Sequence, residues 1–166
     1  MSPIKEVQIG HPIRYLPEWR HDPYQTRRKW PEPSICLDCG AVYREGRWRW
    51  PLCPQDGDVR ICPACQRMRD GMPAAYLTIR GGFYEHHRHE VEGLIGHIVE
   101  RERSAHPQKR LMGNVKHADG SRVLTFSEPH LASDVGDQLR RAYDGNLEIE
   151  YQKGEYLVRL QWTREE

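Results

Sequence analysis

The sequence predicts an α+β fold with three parts, and three observations lead to this prediction. Four of the five cysteines form two C-x2-C pairs between residues 36 and 65. Strand and helix patterns alternate regularly after residue 74, and prolines recur through the first 34 residues. We therefore divide the 166-residue chain into an extended N-terminal arm (residues 1–34), a cysteine module (residues 35–73) and an α+β domain (residues 74–166).

The N-terminal arm is predicted to be extended and to contact RNA. Prolines at positions 12, 17, 23, 31 and 33 prevent a continuous helix. Cationic and aromatic side chains interleave between them, and this pattern is typical of a segment whose cations meet phosphates while its rings stack on bases. The candidate RNA contacts are Arg14, Trp19, Arg20, Arg27, Arg28, Lys29 and Trp30. The alternative is that these rings pack on the protein itself.

The spacing of the paired cysteines predicts one structural zinc ion. Each C-x2-C turn places two sulfurs on one side of a bend, and two such turns complete a tetrahedral shell. The predicted ligands are Cys36, Cys39, Cys62 and Cys65. Because the sequence shows no secretory signal, the paired thiols favour a bound metal in a reducing, cytoplasmic compartment over disulfides. The alternative to a zinc site is a redox function or a chance spacing of the cysteines. Cys53 lacks a C-x2-C partner and is predicted to be a bystander thiol rather than a replacement ligand.

Residues 41–51, which lie between the two cysteine pairs, are predicted to form a hairpin that turns at Gly46. A hairpin in this place is the zinc-ribbon arrangement. Arg47, Trp48 and Arg49 alternate cation and ring, which is typical of a nucleic-acid-binding surface. The alternative is an aromatic cluster, covered by arginines, that forms the core of a small module.

The α+β domain is predicted to follow the order β-α-β-β-α-β-β, with two helices on one face of an antiparallel or mixed sheet. Its strands alternate apolar and polar residues, whereas its helices repeat apolar residues at spacings of three and four. Asp119-Gly120 and Lys153-Gly154 mark hairpin turns, and Ser127-Glu128-Pro129 starts the second helix with a cap and an early proline. The strands are predicted at residues 75–80, 109–117, 122–126, 147–152 and 155–162, and the helices at residues 84–104 and 128–144.

The motifs favour a binding protein over an enzyme. Charged residues make up 30 % of the chain, but the net charge is only +1, so the overall charge identifies no partner. No phosphate-binding loop or nucleophile elbow occurs, and four thiolates on one zinc ion leave no position for a catalytic water. The histidines within residues 85–90 lack the H-E-x-x-H spacing of a second metal site. We expect neither a membrane span nor a small-molecule substrate.

Four short segments form a series along the chain. They are the second cysteine pair with its Pro63, the strand ending in Arg80-Gly81, the sequence from Ser127 to Ala132, and the last strand with Arg159. The series resembles the core of the Nmd-three family, the export adaptors of the large ribosomal subunit. In that family a C-P-x-C turn and a glycine precede a strand ending in Arg-Gly, and a Ser-x-x-His-Ala helix follows. The resemblance covers residues 36–162.

The resemblance implies binding to the joining face of the large ribosomal subunit, through rRNA and ribosomal proteins. Family members also carry further N-terminal metal-binding cysteines and long C-terminal domains with transport signals, which this sequence does not contain. We therefore expect a role in ribosome assembly, subunit joining or dormancy rather than in export. The competing hypotheses are a zinc-ribbon adaptor that binds only protein and, as a third class, a metal enzyme, which nothing in the sequence supports.

Overall fold

The computed structural model confirms an α+β fold built on two mixed sheets. It describes residues 5–8, 22–25, 29–53, 56–152 and 154–166. The strands are β1 (Lys5–Gln8), β2 (Ser34–Cys36), β3 (Val42–Arg44), β4 (Arg47–Arg49), β5 (Asp58–Arg60), β6 (Ala75–Arg80), β7 (Leu111–Lys116), β8 (Arg122–Phe126), β9 (Asn146–Tyr151) and β10 (Val158–Thr163). The helices are α1 (Pro63–Asp70), α2 (Gly82–His86), α3 (Arg88–Ala105) and α4 (Pro129–Tyr143).

The larger sheet has six strands in the order β1-β9-β10-β6-β8-β7. Neighbouring strands are antiparallel except β10 and β6, which are parallel. The chain runs from β6 through α2 and α3 to β7, returns in β8, and passes through α4 to β9. The final hairpin then inserts β10 between β9 and β6. The mixed sheet therefore results from one inserted strand in an otherwise antiparallel arrangement.

The core of the α+β domain lies on one face of this sheet, because its strands alternate as their sequence predicts. Ala75, Leu77 and Ile79 of β6 are fully buried, whereas the residues between them are only half-buried. Apolar side chains of α3 and α4 complete the same cluster. The buried helix residues are Val91, Ile95 and Ile98 of α3 and Leu131, Ala132, Val135 and Leu139 of α4. The predicted packing of two helices against one face is thus present.

Residues 5–8 of the predicted extended arm form a strand at the edge of the larger sheet. Strand β1 pairs with β9 in antiparallel register, with Lys5 opposite Tyr151 and Gln8 opposite Glu148. This pairing satisfies backbone groups that β9 would otherwise expose along the edge of the sheet. Nothing in the proline-rich pattern of the arm indicated a strand.

The first predicted helix of the domain is divided in two. Helix α2 ends at His86 and α3 begins at Arg88, so that His87 forms the bend between them. The backbone N–H of His87 donates to the Phe83 carbonyl at 2.9 Å, and the two rings stack with 4.1 Å between their centroids. The apolar spacing predicts α3 correctly, but it carries no signal for the bend.

The cysteine module combines a small sheet with a helix that the sequence did not predict. Its strands follow the order β4-β3-β2-β5, with β3 and β4 forming the predicted hairpin and β2 and β5 running parallel. Helix α1 begins directly after Cys62, where Pro63 occupies its first position, and ends at Gly71 in the left-handed conformation, with φ 63°. The second cysteine pair therefore lies on the first turn of a helix rather than in an isolated turn.

Candidate metal centre

Four sulfurs converge between the small sheet and α1. The Sγ atoms of Cys36, Cys39, Cys62 and Cys65 all lie within 4.8 Å of one another, and those of Cys39 and Cys62 are 3.8 Å apart. A tetrahedral zinc site with Zn–S bonds of about 2.3 Å requires sulfurs about 3.8 Å apart. The cluster therefore fits one zinc ion, with all four ligands supplied by the predicted cysteines.

The first pair of ligands lies on a tight turn after β2. The N–H of Cys36 donates to the Ala41 carbonyl at 2.8 Å, and the N–H of Gly40 donates to the Cys36 carbonyl at 2.9 Å. Gly40 has a φ of 77°, in the left-handed region that a glycine adopts without strain. These bonds hold Cys36 and Cys39 on the same side of the turn.

The second pair of ligands uses the start of α1. The Cys62 side chain caps the helix and accepts a hydrogen bond from the N–H of Cys65 at 3.5 Å. The N–H of Cys62 in turn donates to the sulfur of Cys36 at 3.3 Å, which links the two pairs. Backbone N–H groups and the positive end of a helix both favour negatively charged sulfur. The local backbone is therefore arranged to hold thiolates.

Mutual contact and burial shift the pKa values of three of the sulfurs, and the shifts differ in direction. A hydrogen bond from Cys62 lowers the pKa of Cys39 to about 4, and the same contact raises the pKa of Cys62. Burial raises the pKa of Cys65 to about 12. Thiolates packed this closely need a compensating positive charge, which a divalent cation that binds thiolate would supply.

Cys53 is not one of the clustered sulfurs. It is exposed, whereas Cys36, Cys62 and Cys65 are buried and Cys39 is half-buried. The cluster of four is complete without it. This arrangement agrees with the prediction that Cys53 is a bystander.

Trp48, a predicted base-stacking residue, belongs instead to the core of the cysteine module. Its side chain is 9 % exposed, and its ring lies 5.7 Å from that of Trp30 and 5.5 Å from that of Tyr43. Trp30 is half-buried, and the Arg60 guanidinium lies 6.0 Å from its ring. The burial of Trp48 contradicts the stacking prediction and matches the alternative of an aromatic cluster covered by arginines.

The predicted cationic contacts fall into three groups. Arg47 and Lys29 are exposed, and neither forms an ion pair with a described residue. Arg49 is partly exposed and pairs with Glu45 at 3.3 Å. The remaining candidates of the arm, four arginines and one tryptophan, lie outside the described residues. They are Arg14, Arg20, Arg27, Arg28 and Trp19.

Several residues that position the metal centre were not predicted. Gln108 Oε1 accepts the N–H of Ala64, on the first turn of α1, at 3.0 Å. Arg110 is buried and reaches Cys65, with its Nη2 atom 3.9 Å from the sulfur. Trp50 Nε1 donates to the Arg103 carbonyl at the end of α3, at 2.7 Å. These residues connect the metal centre to the α+β domain over sequence separations that no local motif reveals.

A second unpredicted group of side chains connects α1 with residues 22–25 of the N-terminal segment. Arg67 is buried and pairs with Asp22 at 2.5 Å, while its guanidinium lies 4.3 Å from the ring of Tyr24. The Tyr24 hydroxyl donates to Asp70 at 2.8 Å. Residues 22–25 of the predicted arm therefore pack on the protein itself.

A cleft of about 460 Å³ lies between the cysteine module and the α+β domain. Its wall includes Arg47 of the hairpin, Arg67 of α1, and Lys109 from the segment after α3. Two carboxylates also line it, but Asp22 pairs with Arg67 and Glu128 caps α4 through the N–H groups at its start. The exposed cation Arg47 therefore lies at the rim of a recess rather than on a flat surface.

Comparisons of the chain with protein-family models, with curated proteins and with solved structures found no match. The likeness to the Nmd-three family accordingly stays a hypothesis based on the short segments described above. In the part of the chain that the structure describes, no helix combines the length and apolar character needed to cross a membrane.

Proposed function

We propose that the chain is a non-enzymatic, zinc-stabilised protein that associates with the ribosome by contacting rRNA. The observation that carries this proposal is the β3–β4 hairpin, which packs against the four cysteines and whose second strand begins with the exposed Arg47 beside a cleft. Lys29 adds a second exposed cation from the segment before the module. Cations on a rigid support bind the phosphates of folded RNA without reading its sequence.

The geometry of the metal centre supports binding rather than catalysis. A zinc ion with four protein sulfurs has a closed tetrahedral shell, whereas catalytic zinc retains a position for water or substrate. In this proposal the metal holds the fold of the module and takes no part in chemistry. Its role would be to fix the hairpin and α1 relative to each other.

The large ribosomal subunit and a cytoplasmic location are the partner and the compartment that we infer. The second cysteine pair, Arg80-Gly81 and the segment from Ser127 to Ala132 support this choice, because they resemble the ribosome-binding Nmd-three core. Assembly, subunit joining and dormancy are the processes in which a short ribosome-bound protein of this kind would act.

Sedimentation through a sucrose gradient tests the proposal. The tagged wild-type protein should move with the large subunit at low salt and dissociate as the salt concentration rises. A Lys29→Ala, Arg47→Ala double variant should dissociate at lower salt, with the slope of log affinity against log salt reduced by about one to two. The matched control is Arg141→Ala, an exposed arginine on α4. A wild-type protein that stays at the top of the gradient at low salt would refute ribosome association.

A second candidate function is a protein-binding adaptor, and the exposed apolar side chains of the cysteine module favour it. Leu37 and Val59 are 68 % and 64 % exposed. The others in this module are Leu52, Met68 and Met72. An adaptor would keep its affinity at high salt, would lose it in a Leu37→Asp, Val59→Asp variant, and would tolerate the loss of Lys29 and Arg47.

A further inference from the structure

We propose that Arg110 supplies the positive charge that faces the zinc–thiolate centre and that, together with Gln108, it makes docking of the cysteine module on the α+β domain depend on bound metal. The proposal rests on zinc binding by the four cysteines and not on rRNA binding, so each can fail without the other. Neither residue is a metal ligand; both act on the ligands from the neighbouring domain.

Arg110 is a buried cation whose nearest potential anion is a cysteine sulfur, which zinc binding converts to a thiolate. Its side chain is 6 % exposed, and its Nε donates to the Pro107 carbonyl at 2.8 Å. Among the described residues no carboxylate pairs with it, and its Nη2 atom lies 3.9 Å from the sulfur of Cys65. The guanidinium also lies 5.6 Å from the ring of Trp50. A buried charge is costly unless it is paired, so the metal centre is the counter-ion of Arg110.

The charge of the occupied centre complements this arginine. Four thiolates and one Zn²⁺ carry a net charge of about −2, which the cysteine module must accommodate in a largely buried position. Residues that donate hydrogen bonds to metal ligands orient them and tune metal affinity. In this proposal Arg110 orients Cys65 and tunes metal affinity from outside the cysteine module. Its backbone directly precedes β7 of the α+β domain.

Gln108 provides a second contact with the cysteine module, a hydrogen bond to a residue between Cys62 and Cys65. Its Oε1 accepts the N–H of Ala64, the residue that lies in the turn from Cys62 to Cys65. The segment that carries Gln108 and Arg110 is itself fastened to the α+β domain at Ser127. The Ser127 hydroxyl donates to the Gln108 carbonyl at 2.6 Å and accepts the N–H of Arg110 at 2.8 Å.

This chain of contacts couples metal binding to the domain interface in both directions. Zinc fixes Cys62 and Cys65, and thereby the Ala64 N–H and the sulfur that Gln108 and Arg110 contact. By thermodynamic linkage, contacts that form only in the occupied state tighten zinc binding by the same factor by which zinc tightens docking. Loss of the metal is expected to release the module from residues 107–110 while the core of the α+β domain persists.

Competition for zinc with a chromophoric chelator tests the proposal on the purified full chain. Arg110→Gln should lower zinc affinity by about 10- to 100-fold. Arg110→Lys should restore part of the loss, because it retains the charge. The matched control is Arg60→Gln, which replaces an exposed arginine of the cysteine module that pairs with Asp58, and the zinc affinity of this variant should stay within about twofold of the wild type. Unchanged affinity in folded Arg110→Gln, or equal losses in the Gln and Lys variants, would overturn the proposal.

Spectroscopy separates the role of Arg110 at the sulfur from a general effect on stability. In the Co²⁺-substituted protein, removal of the donor to Cys65 should shift the sulfur-to-cobalt charge-transfer band in Arg110→Gln and leave it unmoved in Arg60→Gln. A band that is identical in wild type and Arg110→Gln would contradict contact with the metal centre.

If Arg110→Gln does not fold, two other measurements decide. Gln108→Leu should weaken zinc binding through the lost contact with Ala64. In the wild type, zinc removal should speed amide exchange at Arg110 and Ser127, whose backbones hydrogen-bond to each other and to the Ser127 hydroxyl. The coupling between zinc binding and the domain interface would be refuted by unchanged zinc affinity in Gln108→Leu. It would also be refuted by amide exchange rates at Arg110 and Ser127 that are the same with and without zinc.

Discussion

The cores of the cysteine module and the α+β domain differ in size and in the residues that form them. The sheet of the domain has strands of up to six residues and a cluster of eighteen buried residues, from Ala75 to Trp162. In the module each strand has three residues, and three of the seven buried residues in its cluster are cysteines. The domain can thus be stabilised by apolar burial, whereas the module needs a metal cross-link.

The difference between the two cores shows how a chain with only 37 % hydrophobic residues can form two structural units. Apolar residues are concentrated after residue 74, where alternation and helical spacing bury them together. The preceding module has Trp48, Tyr43 and Ala41 as its main non-cysteine core. A zinc ion bound by the four clustered cysteines would replace the apolar contacts that such a small cluster does not provide.

The largest effect is expected from Cys62→Ser, which removes a ligand and the side-chain cap of α1 together. Structural zinc contributes about 10–16 kcal/mol of apparent binding energy in small zinc-dependent peptides. We expect the module to lose zinc and unfold while the domain retains its secondary structure. Zinc content by mass spectrometry and tryptophan fluorescence measure the outcome, with Cys53→Ser as the control that keeps both. A metal-free Cys62→Ser protein with a folded module would break the comparison.

The second effect addresses the domain. Leu77→Ala empties a fully buried position in the centre of β6 and should lower the free energy of unfolding by about 2–5 kcal/mol. Zinc stoichiometry should remain one per chain. Urea denaturation followed by circular dichroism measures the loss, and Thr78→Ala, on the other face of the same strand, is the matched control. Similar losses in the two variants would contradict the one-sided core.

These two predictions depend on features that the sequence reveals through local patterns. The ligand set was predictable because tetrahedral coordination demands local C-x2-C spacing. Strand β6 and helix α3 were predictable because burial on one face imposes a period of two or of 3.6 residues. The cysteine spacing and the apolar periodicity can both be recognised within a short stretch of consecutive residues.

The remainder depends on contacts between distant residues. The burial of Trp48 depends on Trp30 and Tyr43, and the place of Arg110 depends on α1, which lies more than forty residues earlier. Strand β1 exists because β9 offers an edge. Alternating cations and rings from Arg47 to Arg49 look the same in sequence whether the ring faces RNA or the protein core.

The third prediction sharpens the boundary between the two units. Trp50→Phe removes the hydrogen bond from Nε1 to the Arg103 carbonyl while retaining an aromatic ring. The expected loss is about 1 kcal/mol. It should appear as faster amide exchange at the end of α3 and in β4, with little change in β6. Trp30→Phe serves as a control within the same aromatic cluster. Exchange at the end of α3 that matches the wild type would show that Trp50 does not connect the units.

The smallest effect concerns the pair that lies beside this boundary. The hydrogen bond from Lys109 lowers the pKa of Glu102, so the pair contributes stability above the ordinary pKa of a glutamate, and this contribution is lost as the pH falls through the lowered value. Glu102→Gln should therefore cost up to about 1 kcal/mol at pH 7 and nothing at low pH. Thermal unfolding of both proteins between pH 3 and 7, roughly the interval over which a carboxyl titrates, measures it. A cost that persists at the acid end would contradict an ionic origin.

Hydrogen exchange on the zinc-loaded and the chelator-treated protein tests the central claim most directly. If zinc holds the module and apolar burial holds the domain, chelation should remove protection from β2, β3, β4 and α1, while β6, β8 and α4 keep theirs. Re-addition of one equivalent of zinc should restore the module. Protection of the module that survives complete removal of the metal, or a loss that spreads equally through β6 and α4, would contradict the account.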